Sequence, residues 1–176
     1  MMKIGILFYF ALLISNYAFC QDASLEQLIA YPVGGTWVSD NKNNGGKLED
    51  FQSFYMRFNY GMDTQSVWGL IHGVKNNGDT LKLIEIWNFI HQGKQNIQLI
   101  QRTSWGEVAF GTIVPFERKH LDIQFKSTAA NGNAYFTRDI HYLDGPDFMK
   151  SISYQKLTEA DEWKESNTSI WRRITD

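Results

Sequence analysis

Beyond Pro32 the chain alternates with a period of two. Each alternating run is broken by a short turn, never by a helix. Side chains on a strand point to opposite faces in turn, so this pattern reads as strand after strand. The cleanest run is HLDIQFKS, in which Leu121, Ile123 and Phe125 face one way and Asp122, Gln124 and Lys126 the other. Phe54, Met56, Phe58 and Tyr60 alternate with Tyr55, Arg57 and Asn59 in the same manner. Turn chemistry separates the runs at Gly61-Met62-Asp63, Asn76-Asn77-Gly78-Asp79, Gln92-Gly93-Lys94, Gly106, Glu117-Arg118-Lys119, Asn131-Gly132-Asn133 and Gly145-Pro146-Asp147. A polar stretch from Thr158 to Asn167 leads into a last strand, TSIWRRI. Consecutive strands joined by tight turns are antiparallel neighbours. About ten of them in a row would leave two long unpaired edges, and closing the sheet into a barrel removes both. The expected fold is therefore all-β, an antiparallel up-and-down meander closed into a barrel of about ten strands. One short N-terminal helix precedes it, over Asp22 to Tyr31. Ser24 can cap that helix, Leu25, Leu28 and Ile29 share a face, and Pro32 stops it.

The first residues follow another rule. Lys3 precedes an apolar run from Ile4 to Ile14, shorter than the ~20 residues a spanning helix needs. It has the length of the apolar core of a secretory signal, and Ala18 and Cys20 put small residues where a signal peptidase looks. The domain reading is a signal peptide at 1–20, cleaved after Cys20, and a barrel domain at 21–176. Lipid attachment at Cys20 is the competing reading, and Phe19 just before it does not fit that signal. Cys20 is the single cysteine, so the mature chain is expected to be secreted or periplasmic and to hold together without disulfides. With 17 basic against 19 acidic side chains and a net charge of -2, no phosphate-binding excess exists. Nucleic acid is thus excluded as a partner, and no membrane association is expected after cleavage. An outer-membrane barrel is disfavoured by the charges along the outward side of 119–126.

Gly34-Gly35-Thr36-Trp37 opens the first strand just behind the helix, and Arg172-Arg173 lies on the last one. A short helix, a G-x-W motif, a meander and a terminal arginine together resemble the calycin superfamily of lipocalin-like barrels. Within it the layout is similar to the ten-stranded lipocalin-like and nitrobindin-like domains of exported bacterial proteins. The resemblance implies that Trp37 closes one barrel end and that Arg172 or Arg173 lies across its ring. An indole is a large plug, and a guanidinium on its face adds a cation–π contact of ~0.5–2 kcal/mol. Gly35 is expected to leave room for the ring. The second lipocalin motif, an acidic turn between later strands, is absent from the sequence.

No catalytic constellation appears: there is no G-x-S-x-G, P-loop, H-E-x-x-H or cysteine pair. His91 and His120 fall at strand ends. His72 and His141 fall within strands, and if both faced inward they could hold a metal or a haem iron. Haem is therefore the alternative to the expectation of no cofactor. Glu85 shares an alternation with Leu81, Leu83, Trp87 and Phe89, and Arg138 with Phe136, Ile140 and Tyr142. Charges on an apolar face are costly unless paired or wet. If those faces line the interior, Glu85 and Arg138 orient a ligand against Trp68, Trp87 and Phe136, with Tyr154 as a further candidate; if they pack outward, Glu85 is simply solvated. The function expected is binding of a small hydrophobic or amphiphilic molecule inside the barrel without catalysis. The alternatives are an isomerase or hydrolase using Glu85 in the cavity, and a structural or interaction protein with a filled barrel.

Overall fold

The computed structural model describes residues 24–41, 48–115 and 120–174. The expected signal peptide with its cleavage after Cys20, the lipid-attachment alternative, the first residues of the expected helix and the Glu117–Lys119 turn lie outside the described residues.

Helix α1 spans Leu25–Ala30. Ser24 caps it: its hydroxyl accepts from the Gln27 backbone N–H, and the Gln27 side chain accepts from the Ser24 N–H. This reciprocal capping box satisfies two N–H groups that a helix start leaves unpaired. Leu28 and Ile29 are buried. So short a helix has little stability of its own and is held by packing, here against the barrel end.

Ten strands follow: β1 (Thr36–Asp40), β2 (Phe51–Tyr60), β3 (Ser66–Lys75), β4 (Thr80–His91), β5 (Asn96–Thr103), β6 (Val108–Pro115), β7 (His120–Thr128), β8 (Ala134–Leu143), β9 (Phe148–Lys156) and β10 (Lys164–Ile174). Each pairs antiparallel with its sequence neighbours, and β10 pairs with β1 to close the barrel. The closing register sets Thr36, Trp37 and Val38 opposite Ile174, Arg173 and Arg172. The expected fold class is therefore the observed one.

The turns carry the residues their geometry demands. Gly78, Gly106, Gly132 and Gly145 all have positive φ, the region where a Cβ clashes. Gly111 of β6 answers a different need. A Cβ there would stand 2.1 Å from the Gln124 carbonyl oxygen and 2.4 Å from the Phe125 Cβ, so β6 and β7 could not approach as they do.

Besides the shift between Phe51 and Ser53 of β2, two irregularities decide which side chains face inward. Between β3 and β4 the register passes from Ile71↔Ile84 to His72↔Lys82, leaving Leu83 as the extra residue of a bulge. Past that bulge the inward residues of β4 are Ile84, Ile86, Asn88 and Ile90 rather than those continuing from Leu81 and Leu83. A second shift, between Glu165 and Asn167 of β10, resets the phase of the last strand. Bulges bend and twist the strand that carries them, as barrel closure requires. The interior is built mainly from Phe54, Met56, Phe58, Ile86, Ile97, Leu99, Ile113, Leu121, Ile123 and Phe125.

Candidate functional site

One end of the barrel is corked. Trp37 has 0% exposure, and its Nε1 donates to the Pro32 carbonyl at 3.0 Å. The guanidinium carbon of Arg173 stands 4.6 Å from the indole centroid. Its Nη1 donates to the Val33 carbonyl at 3.3 Å and its Nη2 to the Tyr31 carbonyl. Arg173 thus covers the plug and ties the segment after α1 to the last strand. Arg172, opposite Val38, is exposed on the outer face and takes no part. Gly35 serves the arginine rather than the ring: its φ is +71°, and a Cβ would meet the Arg173 Cγ and the Ile174 carbonyl at 3.0 Å. The Tyr31 hydroxyl donates to the Gly145 and Phe148 carbonyls, pinning the helix exit to the β8–β9 turn. Burial pushes its pKa up to about 12.

Above this floor lies a cavity of about 270 Å³, just below the range of ~300–1,000 Å³ typical of small-molecule sites. Its walls differ. Strands β2 to β7 present mainly apolar side chains, among them Phe54, Phe58, Ile86, Ile97, Leu99 and Ile123, with Asn88 and Gln101 the polar exceptions. Strands β8 to β10 present two polar rows. One runs Asp139, Ser153, Asn167 and the other His141, Ser151, Ser169, each a set of direct cross-strand neighbours. Leu48, Leu83 and Trp105 line both this cavity and a wider cleft of about 1180 Å³ at the end away from α1, so they stand between the two. The Trp105 Nε1 donates to Glu107 at 2.8 Å, and the Tyr135 hydroxyl donates to the same carboxylate. The rim of the cleft carries Asp50, Glu107, Asp161, Glu162 and Glu165 with Lys75, Lys156 and Lys164.

Asp139 and His141 lie deep in the barrel, and the surface they keep faces the cavity. Burial raises the Asp139 carboxyl to about 6, against the lowering effect of a hydrogen bond from Ser153. Burial alone lowers His141 to about 4. Both shifts arise because a charged form loses hydration in the interior. Asp139 Oδ1 and Asn88 Oδ1 are buried with no hydrogen-bond partner. Among the described residues, Asp139 and His141 belong to no group of three or more His, Cys, Asp or Glu side chains placed to hold a metal ion.

The six residues expected to bind a ligand lie on the outer wall instead. The bulge at Leu83 puts Glu85 and Trp87 outside, between the inward Ile84, Ile86 and Asn88. Glu85 pairs with Lys82 at 3.1 Å. Trp87, 58% exposed, stands opposite Trp68, 40% exposed. Thr137 and Asp139 face inward on β8, so Phe136 and Arg138 face out. Arg138 makes a two-pronged bridge to Asp122 at 3.0 and 2.8 Å, and Phe136 lies beneath Lys126 and Lys156. Tyr154 is the cross-strand neighbour of Arg138 and shares its outer face. His72 projects outward between Ile71 and Gly73 while His141 points into the cavity, so the two cannot ligate one iron.

Sequence reasoning passed over Asp139, Ser151, Ser153, Asn167 and Ser169. The signal that finds them is the plug. Once Arg173 is set over Trp37, Trp171, Ser169 and Asn167 follow on the inward face at period two, and the register carries that phase to β9 and β8. No protein-family model matches the chain, and no curated protein is similar to it in sequence.

Proposed function

We propose that this chain is an exported lipocalin-like barrel that takes a small amphiphilic molecule into its interior and does not transform it. One observation carries the reading: an interior cavity with one polar wall and one mainly apolar wall, plugged at the Trp37 end and flanked by a cleft at the other. Burial against the apolar wall contributes roughly 25 cal/mol per Å², and the rows on β8 to β10 orient the guest. Export rests on the Lys3, Ile4–Ile14 and Ala18–Cys20 pattern. Glu85 is paired with Lys82 on the outer wall, so interior acid–base chemistry by that residue is not part of the reading.

The test is uptake of the neutral dye N-phenyl-1-naphthylamine, followed by its fluorescence, with mass spectrometry of protein purified gently from its host. Ser153→Phe fills the cavity and should abolish uptake while the strand circular dichroism persists. A wild-type protein that carries no guest and takes up no dye refutes the reading.

A second reading has its own observation. Trp68, Trp87, Ile100 and Phe110 form one unbroken cross-strand row on the outside of β3 to β6, with Phe110 62% exposed. Contiguous exposed apolar surface marks interaction sites. On that reading the barrel is a scaffold for a protein partner, and Trp68→Ser with Trp87→Ser abolishes partner binding but leaves dye uptake intact.

A further inference from the structure

The cavity is an unbalanced place for a charge, and the imbalance has a sign. Among the described residues, both of its buried unpartnered polar atoms, Asp139 Oδ1 and Asn88 Oδ1, are acceptors. Acceptors left unmet in an interior call for a guest that brings N–H or O–H groups. Among the described residues no lysine or arginine lines the cavity. Its one basic side chain, His141, stays neutral down to about pH 4. The Asp139 carboxylate therefore has no counter-charge of its own. The rim of the cleft, with five carboxylates against three lysines among the described residues, is biased in the same direction and draws cations towards the entrance. Asp139 stands in the polar row that ends at Asn167, and the opposite wall is aliphatic and aromatic apart from Asn88 and Gln101.

We propose that the barrel binds an organic cation, an amine with a compact apolar body, whose ammonium group donates to Asp139 Oδ1 while the body lies against the wall formed by β2 to β7. This rests on the interior-binding reading above and gives the guest a charge. Fatty acids and other anionic amphiphiles are excluded by the same geometry, since a second carboxylate beside Asp139 would repel it without a cation between them. Asn88 Oδ1 offers a second acceptor to a guest with a further donor.

The experiment uses three probes that share one apolar body: 2-phenylethylamine, 2-phenylethanol and 3-phenylpropionate. Each is titrated into the mature protein by calorimetry at pH 7.5. The amine should bind about tenfold more tightly than the alcohol, as expected for a charge-assisted hydrogen bond, and the propionate most weakly. Asp139→Asn should remove the preference and bring the amine to the level of the alcohol. A pH series on the wild type provides an arm that needs no variant. Amine affinity should rise about tenfold from pH 5 to 7 as Asp139 ionises, and alcohol affinity should change much less. The other titratable groups facing the cavity among the described residues are His141 on the same strand and Tyr31 from the end of α1. Neither changes charge appreciably in that range. Equal binding of amine and alcohol, an amine preference that survives Asp139→Asn, or a flat amine profile overturns the cation proposal while interior binding stands. Failure of all three probes to bind overturns both.

Discussion

Replacing Asp139 by asparagine should stabilise the unliganded barrel at neutral pH and expose a pH dependence that the wild type hides. The carboxyl ionises near 3.8 in an unfolded chain and near 6 in the barrel. Below 3.8 both states hold the proton. Between 3.8 and 6 the unfolded chain releases it first, so stability falls as pH rises. At ~1.4 kcal/mol per pH unit, the penalty reaches about 3 kcal/mol above pH 6. His141 works in the opposite direction. Its midpoint is 6.5 unfolded and about 4 folded, so the unfolded chain gains a proton first as pH falls through that window. Its contribution is whole above 6.5 and is lost towards pH 4, again by about 3 kcal/mol. Between pH 4 and 6 the two slopes nearly cancel. Asp139→Asn leaves the histidine slope alone: the variant should match the wild type near pH 4 and exceed it by about 3 kcal/mol at pH 6 and above. His141→Gln leaves the carboxyl slope alone: it should exceed the wild type by about 3 kcal/mol at pH 4 and converge with it near pH 6.5. Urea unfolding at four pH values from 4 to 7 measures this. Using differences between variants removes the contribution of all other titrating groups. Curves for Asp139→Asn and wild type that run parallel across the window would refute the argument, because they would mean that water reaches the carboxylate in the folded state.

Other parts of the molecule give sharper contrasts. Arg173→Ala removes the contact with the Trp37 ring and leaves the Tyr31 and Val33 carbonyls without that partner; it should cost roughly 2–4 kcal/mol. Arg172→Ala, on the exposed neighbour, should stay within about 0.5 kcal/mol of wild type in the same urea titration. Gly111→Ala forces a Cβ onto the Gln124 carbonyl and should abolish the folded circular dichroism spectrum. Gly78→Ala meets nothing within 4 Å and strains only its φ of +91°, for a loss of ~1–2 kcal/mol in thermal unfolding. Trp68→Ser and Trp87→Ser should shift the urea midpoint little, since both rings lie outside the core.

The architecture was legible because it rests on signals that repeat. Period two in β7, turn residues at Asn76–Asp79 and Asn131–Asn133, and the cap at Ser24 each point to one local structure, and together they leave only a closed meander. The cavity wall was not legible because period two states that faces alternate and does not state which face is inside. In AYFTRDIHYL either set, Phe136, Arg138, Ile140 and Tyr142 or Thr137, Asp139, His141 and Leu143, fits a strand equally well. Apolar content argues for the first set inside, and the barrel adopts the second. The reason lies on the outer wall, where Arg138 meets Asp122 and Phe136 lies under two lysines, so the bulky set is satisfied without burial. On β4 a single extra residue, Leu83, reversed the phase of everything after it. A bulge of that kind has no mark in alternation counted one strand at a time.

The parity of the strand count joins the plug to the open end. In an up-and-down meander successive strands reverse direction, so an even number sets the last strand antiparallel to the first when the sheet closes. The start of β1 and the end of β10 then share one barrel end, which is where Trp37 meets Arg173. Only five residues, Tyr31 to Gly35, join α1 to β1, a reach of under ~18 Å even when extended. The helix must therefore cover that same end, and the cleft must form at the other. An odd count would have set the terminal arginine at the far end, away from the indole. This reasoning predicts that the chain ends can be moved. Ser24 and Ile174 lie at the plugged end, so a flexible Gly/Ser linker long enough to cross that end can join them. New termini between Asn77 and Gly78 open an exposed turn at the cleft end. The permuted chain should fold cooperatively, keep the Trp37–Arg173 contact, and take up N-phenyl-1-naphthylamine as the parent does. Strand circular dichroism with loss of dye uptake would place the entrance at the 76–79 turn, and an unfolded permutant would show that closure between β1 and β10 depends on the order of the chain and not on the pairing alone.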